Sequence, residues 1–308
     1  MAMSPTGASG PHQESRLDVG IISAGRVGSV LGAALARAGH HIVATSAVSD
    51  ASRDRARRLL PDAAVLSPDE VAERAGLLLL AVPDDELAQV VSGLATAGHF
   101  QPGQLVAHVS GAHGIEVLRP AVSAGALPLA LHPVMTFTGR PEDLDRLDGV
   151  SFGVTADETM RMVGEALVVE MGGEPEFIPE QLRALYHAGL CHGANHMTTL
   201  INEAVDILRE CGVMHPERML GPLLSASLDN TLRLGDNALT GPIVRGDTGT
   251  VASHLDALSR ALPDSVAAYR AMARRTADRA ISHKRLSVAA AEPLLDVLSG
   301  PDGEGGRK

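Results

Sequence analysis

The spacing of apolar positions changes along this chain, and the changes mark its elements. Val19 to Ile22 is a continuous apolar run of strand length. Val27, Val30, Leu31, Ala34, Leu35 and Ala38 then recur at helical spacing, predicting a helix from Arg26 to Ala38. The exchange repeats. His41 to Thr45, Ala63 to Leu66, Leu77 to Val82, Gln104 to Val109 and Leu127 to Leu131 read as strands. Ser52 to Leu60 reads as a helix stopped by Pro61. Ser67 and Pro68 supply an N-cap and a first helical residue, and Pro83-Asp84-Asp85 opens another helix. Leu77 to Val82 shows no alternation, as a strand covered on both faces should not. Val150 to Val154 and Glu176 to Ile178 read as further strands flanking a helix from Asp157 to Met171. Strands alternating with helices predict an α/β fold with a parallel, doubly wound sheet.

The pattern changes at Pro179. Glu180 to Cys211 has no proline and as one helix would span more than about 45 Å at 1.5 Å per residue. Helices follow at Pro216 to Leu234, Thr248 to Leu262, Asp264 to Ser282 and Ser287 to Leu298. The chain therefore divides into an α/β domain at 16–179 and an all-α domain at 180–298. Residues 1–15, rich in Gly, Ser and Pro, read as a disordered arm, and 299–308 as a similar tail.

The first strand and helix enclose Ser23-Ala24-Gly25-Arg26-Val27-Gly28. Strand, small-residue turn and helix in this order open a dinucleotide-binding βαβ unit. Backbone N–H groups at the helix start point at a pyrophosphate, where the helix dipole also favours negative charge. Gly25 lets the phosphate approach, and Gly28 lets helix and strand pack closely. Ser23 stands where the fingerprint has its first glycine, and a serine with positive φ costs roughly 1 kcal/mol there. The alternative is a turn that binds nothing.

Ligands of parallel sheets bind outside the carboxyl ends of the strands. Those ends carry Ser46, Val82-Pro83, Ser110-Gly111 and His132-Pro133 besides the turn. An acid that would hold the ribose of NAD is missing at Thr45 and Ser46, whereas Arg53 and Arg55 follow and suit a 2′-phosphate. This points to NADP, with NAD possible; the alternative leaves both arginines on the surface.

A long-helix segment concentrates Tyr186, His187, His192, Asn195 and His196. His187, Cys191 and Asn195 share a stripe at i, i+4, i+8, and Gly189 and Gly193 lie four apart. Such polar groups suit a cleft facing a nicotinamide, although surface or core histidines would look the same. His192 and His196 have metal-ligand spacing, but no third ligand accompanies them, so no metal is expected. Gly241, Pro242 and Gly246 shape a loop that carries Arg245, suited to two-pronged capture of a carboxylate or phosphate. Asp247 is a natural N-cap.

Net charge is −11 with no basic block, which argues against nucleic acid and membrane surfaces as partners. Cys191 and Cys211 lie about 30 Å apart along one helix and cannot pair there, so a reduced, cytoplasmic protein is expected. The only lysines are Lys284 and Lys308.

The segments ISAGRVG, LLLLAVPDDEL, HVSGAHGIEVL, LHPVMTF, YHAGLCHGANH and ALTGPIVRGD together resemble bacterial proteins with a Rossmann-like domain followed by the domain of unknown function 2520. The resemblance runs from about Leu17 to Leu262 and departs from the family at Ser23. It is similar in layout to pyrroline-5-carboxylate reductase, ketopantoate reductase and the β-hydroxyacid dehydrogenases. It implies an NAD(P)-dependent oxidoreductase, a homodimer formed through the all-α domain, and a small substrate between domains over the nicotinamide.

The expected activity is hydride transfer between NADP(H) and a small, anionic carbonyl, imine or hydroxy compound. Ser110, His132, His187 and Asn195 would surround the reacting carbon, with Arg245 on an anionic group. The lysine that ketopantoate reductase and the β-hydroxyacid dehydrogenases use is absent before Lys284. His187 is the first choice of proton donor, Tyr186 the second and His132 the third, with Asn195 holding the substrate oxygen. A non-catalytic or sensory dinucleotide-binding protein is the alternative, a metal-dependent dehydrogenase using His192 and His196 is a third reading, and a deazaflavin coenzyme stays open.

Overall fold

The continuous apolar runs become strands buried on both faces. The computed structural model describes residues 16–299, so the expected arm, and the tail beyond Ser299, lie outside the described residues. Strands β1 (Asp18–Ile22), β2 (His41–Thr45), β3 (Ala64–Val65), β4 (Leu77–Leu80), β5 (Leu105–His108) and β6 (Leu127–Pro133) are parallel neighbours in the order β3-β2-β1-β4-β5-β6. Helices α1 (Arg26–Arg37), α2 (Asp50–Leu59), α3 (Pro68–Arg74) and α4 (Asp84–Ala97) connect the first five. The short helix α5 (Arg119–Ser123), absent from the sequence expectation, precedes β6.

Side chains alternate across β4. Leu77 and Leu79 join Val19, Ile21, Leu31 and Leu35 on one face. Leu78 and Leu80 join Ile22, Leu87, Val91 and Val106 on the other. Close packing accounts for two glycines: a Cβ at Gly28 would press on the Ser23 carbonyl and on Ala81, and one at Gly32 on Ile21.

One edge departs from the all-parallel expectation. After β6 the chain forms only the one-turn helix α6 (Glu142–Arg146) before β7 (Ser151–Thr155), which pairs antiparallel with β6. A parallel return needs a crossover, usually a helix of useful length, and α6 rises only about 7.5 Å. The antiparallel partner also draws β6 on through Pro133, so His132 lies within the strand rather than just past it. Helix α7 (Arg161–Glu170) then leads to β8 (Glu174–Phe177), parallel to β7.

Helices α8 (Arg183–Glu210), α9 (Pro216–Leu234), α10 (Thr248–Ala261), α11 (Ser265–Ser282) and α12 (Val288–Ser299) complete the described chain. It parts into two compact units between Gly193 and Ala194, within α8. In the second unit, Val251, Leu255, Ala273, Ala277, Leu294 and Leu298 form an apolar core with Ile243 and Val244. Helix α8 fully buries only Arg183, and α9 only Pro216. No helix of the described residues is long and apolar enough to cross a membrane.

The Asp143 side chain organises the loop after β6. Its carboxylate accepts the N–H groups of Thr138 at 2.7 Å and Gly139 at 2.8 Å, and the Thr138 hydroxyl. Burial acts to raise the Asp143 pKa, but the Gly139 and Thr138 donors outweigh it and leave it lowered. Replacing Asp143 with Ala leaves these donors unpartnered and is expected to cost about 1–3 kcal/mol, read by urea unfolding at neutral pH. The parent's advantage is full above the ordinary carboxylate pKa and fades as pH falls through the lowered folded one. Equal stability of the two proteins at neutral pH would refute this account.

Candidate functional site

At the end of β1 the chain must turn sharply into α1, and Ser23 adopts φ +78 to do so. Few L-residues tolerate this conformation, and the serine is held in it. Its N–H donates to the Ser46 hydroxyl at 2.9 Å, and the next N–H, of Ala24, donates to the Ser46 carbonyl at 2.7 Å. Ser46 is itself buried, with its N–H on the Ile21 carbonyl. The end of β2 therefore supports the turn at the end of β1. Gly25 is the N-cap of α1, and no side chain caps that helix, so the first N–H groups have no side-chain acceptor. A Cβ on Gly25 would come no closer than 3.4 Å to another residue's atom, the Ser23 hydroxyl oxygen. Arg26 is exposed and Val27 half-buried at this helix start.

The two arginines after β2 separate. Arg53 pairs with Asp50 on the surface at 3.0 Å. Arg55 turns inward, and its Nε donates to the Ala24 carbonyl within the turn at 3.2 Å. Its stem and that of Arg26 lie against Gly139, which has φ +75 and no room for a Cβ.

A second polar group gathers where β5, β6 and β7 meet the start of α8. The His132 Nδ1 and the Tyr186 hydroxyl are 2.8 Å apart. The His132 ring also meets the His187 ring edge-on at 6.0 Å. Gly111 and Gly153 make this approach possible. A Cβ on Gly111 would lie 2.7 Å from His187 and 2.8 Å from the His132 Nε2, and one on Gly153 would strike the Tyr186 hydroxyl. His187 faces Cys191 one turn on, with Nε2 and Sγ 3.6 Å apart. Burial lowers the His132 pKa to about 4, with help from the charges of Arg183 and His187, so the ring is neutral at pH 7. Burial raises the Tyr186 pKa and keeps the phenol protonated.

Ser110 is buried, and its hydroxyl oxygen accepts the N–H groups of Ala112 and His113, both at 3.2 Å. It shapes the turn after β5. Val82 is half-buried and Pro83 is the N-cap of α4, at the neighbouring strand end. Asn195, His192 and His196 are exposed on α8, and a Cβ on Gly189 or Gly193 would meet open space. In the second unit, Gly241 and Gly246 have φ +93 and +67, Arg245 is exposed between them, and Asp247 caps α10 by accepting the Thr250 N–H. Cys191 and Cys211 are both free. No group of three or more His, Cys, Asp or Glu side chains among the described residues could hold a metal ion.

Two side chains that the sequence reading did not single out complete the cluster. Arg183 is 2% exposed and binds β6 and β7 from the start of α8, with the turn after β5 also in reach. His108 is fully buried, with Nε2 at 2.8 Å from the Gly114 carbonyl and Nδ1 accepting the Ser110 N–H. A lone arginine at a helix start and a histidine ending an apolar strand carry no spacing signal. Both become legible only as buried polar groups that must find partners.

Parallel strands with a small-residue turn at the point where strand order reverses, between β1 and β4, define a Rossmann-like fold. Residues 3–133 match the Rossmann-like domain, and residues 150–276 match the domain of unknown function DUF2520. The chain belongs to the proteins that join these two domains. No curated protein matches it. Among solved structures, it is similar to a Bacteroides fragilis protein provisionally named an NADP oxidoreductase, at 19% identity and TM-score 0.73, covering 85% of this chain and 98% of the other. An imine reductase from Pseudomonas sp. is 20% identical with TM-score 0.64, over 88% of this chain and 99% of its own. The Plasmodium falciparum pyrroline carboxylate reductase, solved with NADP bound, is 14% identical with TM-score 0.54, over 87% and 97%. At these identities the likeness is one of fold.

Glycine at position 23 would adopt φ +78 without strain. Ser23→Gly is therefore expected to raise stability by up to about 1 kcal/mol. Thermal unfolding checks this, and a destabilised variant would show that the serine side chain supports the turn.

Proposed function

We propose that this chain is an NADP-dependent oxidoreductase acting on a small, anionic carbonyl, imine or hydroxy compound. One juxtaposition carries the reading. An uncapped helix start at the end of β1 and a cluster of protonic side chains at the ends of β5 and β6 share one edge of one sheet. The residues fit a dinucleotide: Gly25 to Gly28 offer backbone N–H groups with no side-chain cap, and Gly25 leaves the approach open, as a pyrophosphate needs. Val82, Pro83, Ser110 and Gly111 line the next strand ends. When bound, the nicotinamide supplies or accepts the hydride.

Cofactor choice rests on β2. Thr45 and Ser46 place no carboxylate at its end, and both are buried and bonded to the β1 side. Arg55, directed at the turn, is better placed than Arg53 to meet a 2′-phosphate. Calorimetric titration is expected to give tighter binding of NADPH than NADH, and Arg55→Ala to reduce that preference by about tenfold. No binding of either at millimolar concentration would overturn the proposal.

Reduction of a carbonyl or imine needs a proton at the heteroatom. His187 is assigned as donor. It is half-buried beside Gly111, and its ring meets that of His132 edge-on. Neutral His132 and protonated Tyr186 orient the same region. His187→Ala should lower kcat by ~10²-fold or more with NADPH affinity nearly unchanged. A variant with full kcat would remove this role, and cofactor binding without turnover of any carbonyl or imine would favour the sensory alternative.

The functional form is proposed to be a homodimer. Supporting this, Met219, Leu223, Leu228 and Leu232 on α9 and Met197 and Leu200 on α8 are exposed, and neither helix joins the core of the second unit. Light scattering should return twice the 32.0 kDa chain mass, and a monomer in dilute solution would refute it.

A further inference from the structure

Arg183 is a buried cation held almost wholly by neutral oxygens. Its Nε donates to the Thr155 hydroxyl at 2.7 Å, and its Nη2 to the carbonyls of Gly153 at 2.9 Å and Ala130 at 3.1 Å. Nη1 reaches towards the Ser110 carbonyl at 3.5 Å. Glu180 acts on it only at longer range. A buried charge without a paired carboxylate is costly unless every donor is satisfied and the charge serves some end. Here one guanidinium touches the turn after β5, β6 and β7 at once, from the first residue of α8. Tyr186 and His187 follow three and four residues later, on the same helical face. The guanidinium carbon lies 5.6 Å from the Tyr186 ring centre.

We propose that Arg183 is a positioning residue: it fastens the first turn of α8 to β6, β7 and the turn after β5 so that Tyr186 meets His132, and its fixed charge keeps a second positive charge off the His132 ring.

The groups facing His132 support this. From α8 come Arg183, Tyr186 and His187, and from the start of α4 comes Asp84. Burial disfavours the imidazolium most, then Arg183 and then His187; Asp84 alone opposes them. A neutral His132 can accept the Tyr186 hydroxyl proton in a hydrogen bond at Nδ1 and present Nε2–H towards Gly111. An imidazolium could not accept that bond. The charge of Arg183 and the geometry of its fork thus act on the same pair.

The catalytic meaning of this rests on the function proposed above, whereas the test does not, so the two can fail separately. Histidine side chains labelled at Cε1 are followed by ¹H–¹³C correlation spectra across a pH titration, with His132 assigned from His132→Gln. In the parent, His132 should titrate near 4, with a cross-peak between its ring and that of Tyr186. Arg183→Gln keeps hydrogen-bond donors and removes the charge. It should move the His132 midpoint up by about half a unit or more. An unmoved midpoint in folded Arg183→Gln would overturn the electrostatic part. Arg183→Lys keeps the charge but loses the planar fork. Its midpoint should stay within about 0.3 units of the parent's while the Tyr186–His132 cross-peak is lost. A retained cross-peak would overturn the positioning part. If Arg183→Gln does not fold, Arg183→Lys decides: loss of the cross-peak at an unchanged midpoint supports the proposal, and an unchanged spectrum refutes it.

Discussion

Burial of one parallel sheet on both faces constrains everything else in the first unit. Leu77 to Leu80 send alternate side chains into two apolar layers, and neighbouring strands do the same. Polar groups have no place along such strands, so they collect where the strands end. Since β1, β2, β4, β5 and β6 run in one direction, their carboxyl ends share an edge. Ser23, Ser46, Ser110, Gly111 and His132 stand there for that reason. The candidate site is the polar remainder of an otherwise apolar sheet.

Two supports keep that edge in shape. Around Ser23, strain in the backbone is held by the end of β2, through the buried Ser46. A glycine would need no such support, and the departure from the usual fingerprint is tied to a specific neighbour 23 residues away. Around His132, the support is a buried guanidinium bonded to backbone and hydroxyl oxygens. Both rely on hydrogen bonds within the fold. The turn and the cluster are therefore organised in the folded chain, as preorganised electrostatic sites must be.

The second unit is built differently. Its core belongs to α10, α11, α12 and the loop before them. Helix α9 and the distal part of α8 leave large apolar side chains exposed. Apolar surface of this kind is costly in water. The loop around Arg245 is the reverse case: Gly241 and Gly246 in left-handed conformations and the Asp247 cap give it a defined shape without a large core.

Much of this was legible in the sequence because it is local. Apolar runs against helical spacing marked the strands and helices, Ser67 and Asp247 announced their caps, and Ser23 to Gly28 announced the turn. The order of elements placed Ser110, Gly111 and His132 near strand ends. Tertiary structure alone decided three things. It reversed β7, because the link after β6 lacks a helix able to cross the sheet. It sent Arg55 to the turn and Arg53 to the surface, although only Asp54 separates them, because nearby positions on a helix point in different directions. It also made Arg183 the link between β6, β7 and the turn after β5. A buried cation with no carboxylate beside it leaves no periodicity, spacing or charge pattern in one dimension, and its meaning lies entirely in which distant carbonyls it reaches.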